Sequence, residues 1–143
     1  GFLERIDGRI APTRQFFGRP VVGSVRAGLP QAETQEEVEL LTIDDYLIAD
    51  PNRTILCRVR GDSMTDAGLL EGDLVVVERN APTRAGDVVV AIVDGELTVK
   101  TLRTAKNGAY FLEAANPDYA PIHPKGSLEI LGVVIASFRR HRR

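Results

Sequence analysis

Ser63 stands in the stretch RVRGDSMTDAGLLEGDLVVVE, between a run that alternates like a strand and a turn rich in Gly and Asp. A serine hydroxyl becomes a useful nucleophile only when a base takes its proton, so the chemistry open to Ser63 depends on the basic groups elsewhere in the chain. Neither histidine suits the role. His123 lies between Pro121 and Pro124, and His141 lies in the terminal run FRRHRR; both read as surface residues. The other device is a lysine kept neutral by burial, because taking an ammonium out of water costs several kcal/mol and drives its pKa from about 10.4 toward neutrality.

Only three lysines are present, and Lys106 and Lys125 adjoin Asn107-Gly108 and Gly126, where turns and water are expected. Lys100 lies instead within DGELTVKTL. Period 2 puts Leu97, Val99 and Thr101 on one face of that strand and Thr98, Lys100 and Leu102 on the other. The Thr98 hydroxyl is thereby placed to orient the amine, as the third member of a nucleophile, base and orienter set. Each residue also has a plainer reading. A strand lysine more commonly snorkels to solvent, and Ser63 with Asp66 forms the Ser-x-x-Asp pattern that caps a short helix. The cap and the nucleophile are compatible roles, since a serine at the mouth of a helical turn is surrounded by free backbone N–H groups of the kind that stabilise an oxyanion.

The elements that must position these groups are mostly strands. ILCRVR alternates so that Ile55, Cys57 and Val59 share one face. Further strands are expected at DLVVVE, DVVVAIV, ELTVKTL, AYFLEA and LEILGVVIASF, separated by Gly, Asp, Asn and Pro. Asp94-Gly95 marks a hairpin, and Asp7-Gly8 marks another between two very short strands in GFLERIDGRIAPT. The segment from Arg14 to Glu39 is punctuated by Gly and Pro and is expected to hold at most a short strand at 20–25. Only TIDDYLIA and SMTDAG are plausible helical turns. The fold class expected is therefore mostly β, a pseudo-barrel of short strands with little helix.

The totals narrow the function. A length of 143 residues with 43% hydrophobic and 27% charged residues suits one ordinary domain, with or without a short appendage. No apolar run approaches the roughly 20 residues of a membrane span, and a soluble, cytoplasmic protein without a membrane partner is expected. With one Cys and two His there is no metal-ligand spacing, so no metal and no cofactor are expected. The net charge of −2 gives the whole domain no electrostatic reason to hold nucleic acid, and the basic end FRRHRR reads as a solvated tail.

In order along the chain, VRAGLP, GDSMTDAGLLEGDLVVV and DGELTVKTL resemble the self-cleaving domain of the LexA repressor family, with the UmuD-type polymerase subunits and phage repressors as relatives. The likeness covers about Pro20 to Phe138, and the separation of Ser63 from Lys100 is the one that family uses. It implies a LexA/signal-peptidase-like pseudo-barrel and a serine autoprotease with Ser63 as nucleophile and Lys100 as general base. Thr98 and Met64 support them, and Ala27-Gly28 is the scissile bond. Arg26 departs from the small residue often found beside that bond. A cleavage loop that moves into and out of the site is implied, with the RecA filament on single-stranded DNA favouring the cut-competent position.

The resemblance also implies a division of the chain. Residues 1–16 are expected to be the remnant of the wing of an N-terminal winged-helix DNA-binding domain plus a hinge. Residues 17–143 are expected to form the self-cleaving peptidase and dimerisation domain. The opening Gly suggests a fragment or processed product, so that operator DNA would be bound only through the missing N-terminal domain. The strand LEILGVVIASF is the expected homodimer edge, with an internal core strand as the alternative. The function expected is a LexA-type repressor of the SOS DNA-damage response, inactivated by RecA-stimulated self-cleavage. Two other readings are a UmuD-like subunit of an error-prone polymerase and a non-enzymatic interaction domain in which Ser63 only caps and Lys100 only snorkels. A signal peptidase is disfavoured for want of a membrane anchor.

Overall fold

The computed structural model describes residues 3–6, 9–12, 17–23 and 39–142. The chain divides into two units, Gly1–Leu47 and Ile48–Arg143. In the first, β1 (Leu3–Ile6) pairs antiparallel with β2 (Arg9–Pro12), with Ile6 opposite Arg9, while the turn expected at Asp7-Gly8 lies outside the described residues. The short strand anticipated at 20–25 is β3 (Arg19–Val21). Its antiparallel partner β4 (Glu39–Leu41), which the sequence did not suggest, is followed by the five-residue helix α1 (Ile43–Leu47).

The second unit is one antiparallel sheet of six strands. These are β5 (Thr54–Arg58), β6 (Leu74–Glu78), β7 (Val88–Val93), β8 (Glu96–Thr104), β9 (Tyr110–Glu113) and β10 (Leu128–Phe138), in the spatial order β5-β6-β10-β7-β8-β9. The structure is thus mostly β with little helix, as the alternation and punctuation indicate. The continuous apolar runs of β6 and β7 have a physical cause, for both faces of these strands are covered. On β7, Val90 joins a core of Val59, Met64, Leu69, Val75 and Val77, while Val89, Ala91 and Val93 join a second core with Leu102 and Leu112.

The β7–β8 turn is the hairpin predicted at Asp94-Gly95. Both residues have positive φ, 48° and 88°, as a tight two-residue turn between right-twisted strands requires. The Asp94 carboxylate then accepts the Gly126 and Ser127 N–H groups, each at 3.0 Å, and ties the start of β10 to the turn. These bonds hold the Asp94 carboxyl below its usual range, the one to Ser127 contributing most.

β10 lies inside the sheet, paired with β7 through Leu128–Val133 and with β6 through Val133–Phe138. The ladder changes sides near Gly132, between register shifts at 130–132 and 134–136. Extra residues of this kind increase twist and bend a strand. Glycine is required at the crossing: a Cβ on Gly132 would stand 2.6 Å from Val77 Cγ1 and 2.7 Å from the Glu78 carbonyl oxygen. Because the two ladders are staggered, each half of β10 is paired along one side among the described residues.

Candidate active site

Ser63 lies in the connection from β5 to β6. The pairing of these strands continues past their ends through Val59 N–H to Asp73 O (2.8 Å) and Gly72 N–H to Val59 O (2.9 Å). The intervening loop is thus closed at its base. Gly61, with φ of 78°, turns the chain in a region that favours glycine. Met64, only 2% exposed, is the plug that seats the loop in the core. One 3₁₀ turn follows at Thr65–Ala67 and ends on left-handed Gly68.

The N-cap of that turn is Met64, with no side-chain cap bond. The capping pattern read from Ser63 and Asp66 is therefore not realised, because Ser63 precedes the cap position and its hydroxyl faces another way. Lys100 Nζ lies 3.0 Å from Ser63 Oγ and 2.7 Å from Thr98 Oγ1. As the ammonium, Lys100 donates to both; as the neutral amine, it donates to Thr98 and accepts from Ser63.

β8 presents Thr98 and Lys100 on one face, as period 2 requires, with cross-strand partners Ala91 and Val89 that are wholly buried. Lys100 is itself buried, at 8% exposure, while Lys106 and Lys125 are exposed. Burial pushes the Lys100 amine below its ordinary value of 10.5, because the charged form loses water that two hydroxyls replace only in part. Ser63, Thr98 and Lys100 open onto a cleft of about 310 Å³ whose walls include Cys57, Val59, Met64 and Leu97.

Backbone donors are available beside the hydroxyl. Among the described residues, the N–H groups of Ser63 and Met64 take no hydrogen-bond acceptor, whereas those of Thr65, Asp66, Ala67, Gly68 and Leu69 are all bound. Ala27, Gly28 and Arg26, expected around a scissile bond, lie outside the described residues. His123 is exposed and stacks on Phe111 at 5.1 Å, away from any catalytic use. No cluster of three metal-ligating side chains occurs among the described residues, and none of their helices is long and apolar enough to cross a membrane.

The Peptidase S24-like family profile matches residues 20–135. The LexA repressor of Opitutus terrae is 34% identical over 150 aligned positions that take in 100% of this chain and 74% of the relative. This chain belongs to the LexA family of S24-like peptidases. The LexA repressor of Azoarcus sp. (strain BH72) is 44% identical over 129 residues, and that of Alcanivorax borkumensis is 42% identical over 121. These matches take in 87% and 84% of this chain but only 62% and 58% of the relatives, so the chain spans about three fifths of their length.

Two features of this LexA-family chain were not legible in the sequence. The Asp62 carboxylate accepts from Tyr119 OH at 2.5 Å, and the Asp62 carbonyl accepts from Asn116 Nδ2 at 2.8 Å. The bond to Asp62 raises the Tyr119 phenol above its usual range. The second feature corrects the reading of FRRHRR as solvated throughout. Arg139 grips the buried Asp73 with two parallel bonds, at 2.5 and 2.7 Å, and donates to Gly68 O at 3.2 Å. A bidentate guanidinium–carboxylate pair of this kind is strong, and with the Leu70 N–H it holds Asp73 down to about 2.

Proposed function

We propose that this chain is the self-cleaving domain of an SOS repressor, with Ser63 and Lys100 as a catalytic dyad and Ala27-Gly28 as the bond cut. The observation that carries the reading is a buried lysine amine 3.0 Å from a serine hydroxyl and 2.7 Å from the hydroxyl of Thr98. Neutral Lys100 takes the Ser63 proton as Oγ attacks the Ala27 carbonyl carbon. The oxyanion that develops is stabilised by the N–H groups of Ser63 and Met64. The Lys100 ammonium then gives its proton to the Gly28 nitrogen, which leaves as the new amino terminus. Water, deprotonated by Lys100, releases Ala27 from Ser63 as a carboxylate. Substrate and catalyst share one chain, so a high effective concentration compensates for a modest base.

Docking of the cleavage loop covers Lys100 further and lowers its pKa again, so docking and activation are one event. An activator such as the RecA filament on single-stranded DNA acts by favouring the docked state. If that state holds about 1% of the resting population, the activator must favour it by several kcal/mol to make it dominant. The β1–β2 hairpin is assigned to the wing of a preceding winged-helix domain, the part through which operator DNA is bound. Homodimerisation is assigned to β10, where Ile135 and Phe138 are 40% and 39% exposed.

Incubation of the protein near pH 10, where a lysine begins to deprotonate, followed by mass spectrometry, tests the reading. Two fragments, residues 1–27 and 28–143, are expected from the unaltered chain and none from Ser63→Ala. An intact chain after prolonged incubation would leave a non-catalytic interaction domain.

A further inference from the structure

The loop that carries Ser63 is held by a segment for which the proposed chemistry has no role. After β9 the chain doubles back through 114–120 and makes three separate bonds to it. Ala115 O accepts from Asp66 N–H at 2.8 Å, Asn116 Nδ2 donates to Asp62 O at 2.8 Å, and Tyr119 OH donates to Asp62 Oδ1 at 2.5 Å. Asp62 O accepts twice more, from Thr65 Oγ1 at 2.7 Å and from Thr65 N–H at 3.3 Å. Asn116 is itself preset, because its Oδ1 accepts from Asp118 N–H at 2.9 Å and so directs the amide donor toward Asp62.

A peptide unit is planar, and no cis bond occurs among the described residues, so the Asp62 carbonyl and the Ser63 N–H point in opposite directions. Donors that fix the carbonyl therefore fix the N–H. That N–H is one of the two left without an acceptor beside the hydroxyl. We propose that Asn116 and Tyr119 are positioning residues for self-cleavage: Asn116 holds the Asp62 carbonyl and Tyr119 anchors the Asp62 side chain, so that the Asp62–Ser63 peptide plane keeps the Ser63 N–H facing the developing oxyanion. The inference rests on the dyad reading above. Neither residue bonds to Lys100, whose hydrogen-bond partners are Ser63 and Thr98. Their loss should lower the rate without moving the pH at which the rate rises.

The test follows self-cleavage of the full chain from about pH 7 to pH 11 in Asn116→Ser, Tyr119→Phe and Ser63→Ala. Serine at 116 keeps a hydroxyl acceptor for Asp118 N–H but is too short to reach Asp62, and phenylalanine at 119 removes only the hydroxyl. Asn116→Ser is expected to cut about tenfold more slowly at every pH, a fraction of the full loss of one oxyanion donor. Tyr119→Phe is expected to change in the same direction by less. The midpoint of the pH profile and the melting temperature should match those of the unaltered chain. Rates within twofold of the unaltered chain in both variants, with Ser63→Ala inert, overturn the positioning role and leave the dyad standing. A slower rate accompanied by a moved midpoint or a lower melting temperature also overturns it, because the segment is then only structural. Cleavage by Ser63→Ala at the ordinary rate removes the dyad itself.

Discussion

Lys100 weakens the fold while it is charged. Its pKa lies below 10.5 in the native protein and near that value in the unfolded chain, so the cost is fully present at pH values below the native pKa. As pH rises from the native pKa to about 10.5, the unfolded state binds more protons and stability increases. Lys100→Met is therefore expected to abolish self-cleavage and to raise stability at pH 7 by about 1 kcal/mol, with the gain vanishing toward pH 10.5. Urea denaturation of both proteins at several pH values checks this, and a variant less stable than the parent at pH 7 contradicts it. The shared face of Thr98 and Lys100 was legible from strand period, and elimination of the two lysines beside turns singled out Lys100, but its approach to Ser63, 37 residues away, came only as what the family resemblance implies. Asn116 and Tyr119 were not legible, since their bonds to Asp62 join loops 54 and 57 residues apart. No local pattern encodes such an approach.

Among the elements, β10 carries the sharpest steric constraint. Gly132→Ala would force a Cβ against Val77 and the Glu78 backbone, and overpacking of this kind costs about 1–3 kcal/mol. A lowered urea midpoint is expected; an unchanged one would mean that the crossing yields more easily than close packing allows. The tether on the far side of the Ser63 loop responds to acid. Asp73, at about 2, lies below its ordinary 3.8, so its contribution is complete above pH 3.8 and is lost as pH falls through about 2. Melting curves of Asp73→Asn should be lower than those of the parent at neutral pH, with the difference closing between pH 4 and about 2. The strands themselves were readable from alternation and turn residues. Their order was not: period tells which face is buried but not which neighbour lies beside it, and Arg139 reads as tail until Asp73 is brought under it.

For the whole molecule, the staggered ladders leave the second half of β10 paired with β6 along one side, with Ile135 and Phe138 partly open to solvent. A second copy meeting this strand would bury both side chains. Ile135→Lys is expected to weaken self-association about tenfold or more, measured by sedimentation equilibrium, whereas an unaltered dimer would place the contact elsewhere. The same strand has a consequence for biosynthesis. β5 and β6, which frame the serine loop, lie on one side of β10, and the β7–β8 hairpin bearing the lysine lies on the other. A ribosome makes the joining strand after both hairpins. A nascent polypeptide holds both reactive side chains before it holds the segment that knits their hairpins into one ladder, so the proposed self-cleavage must wait until β10 has emerged and joined them.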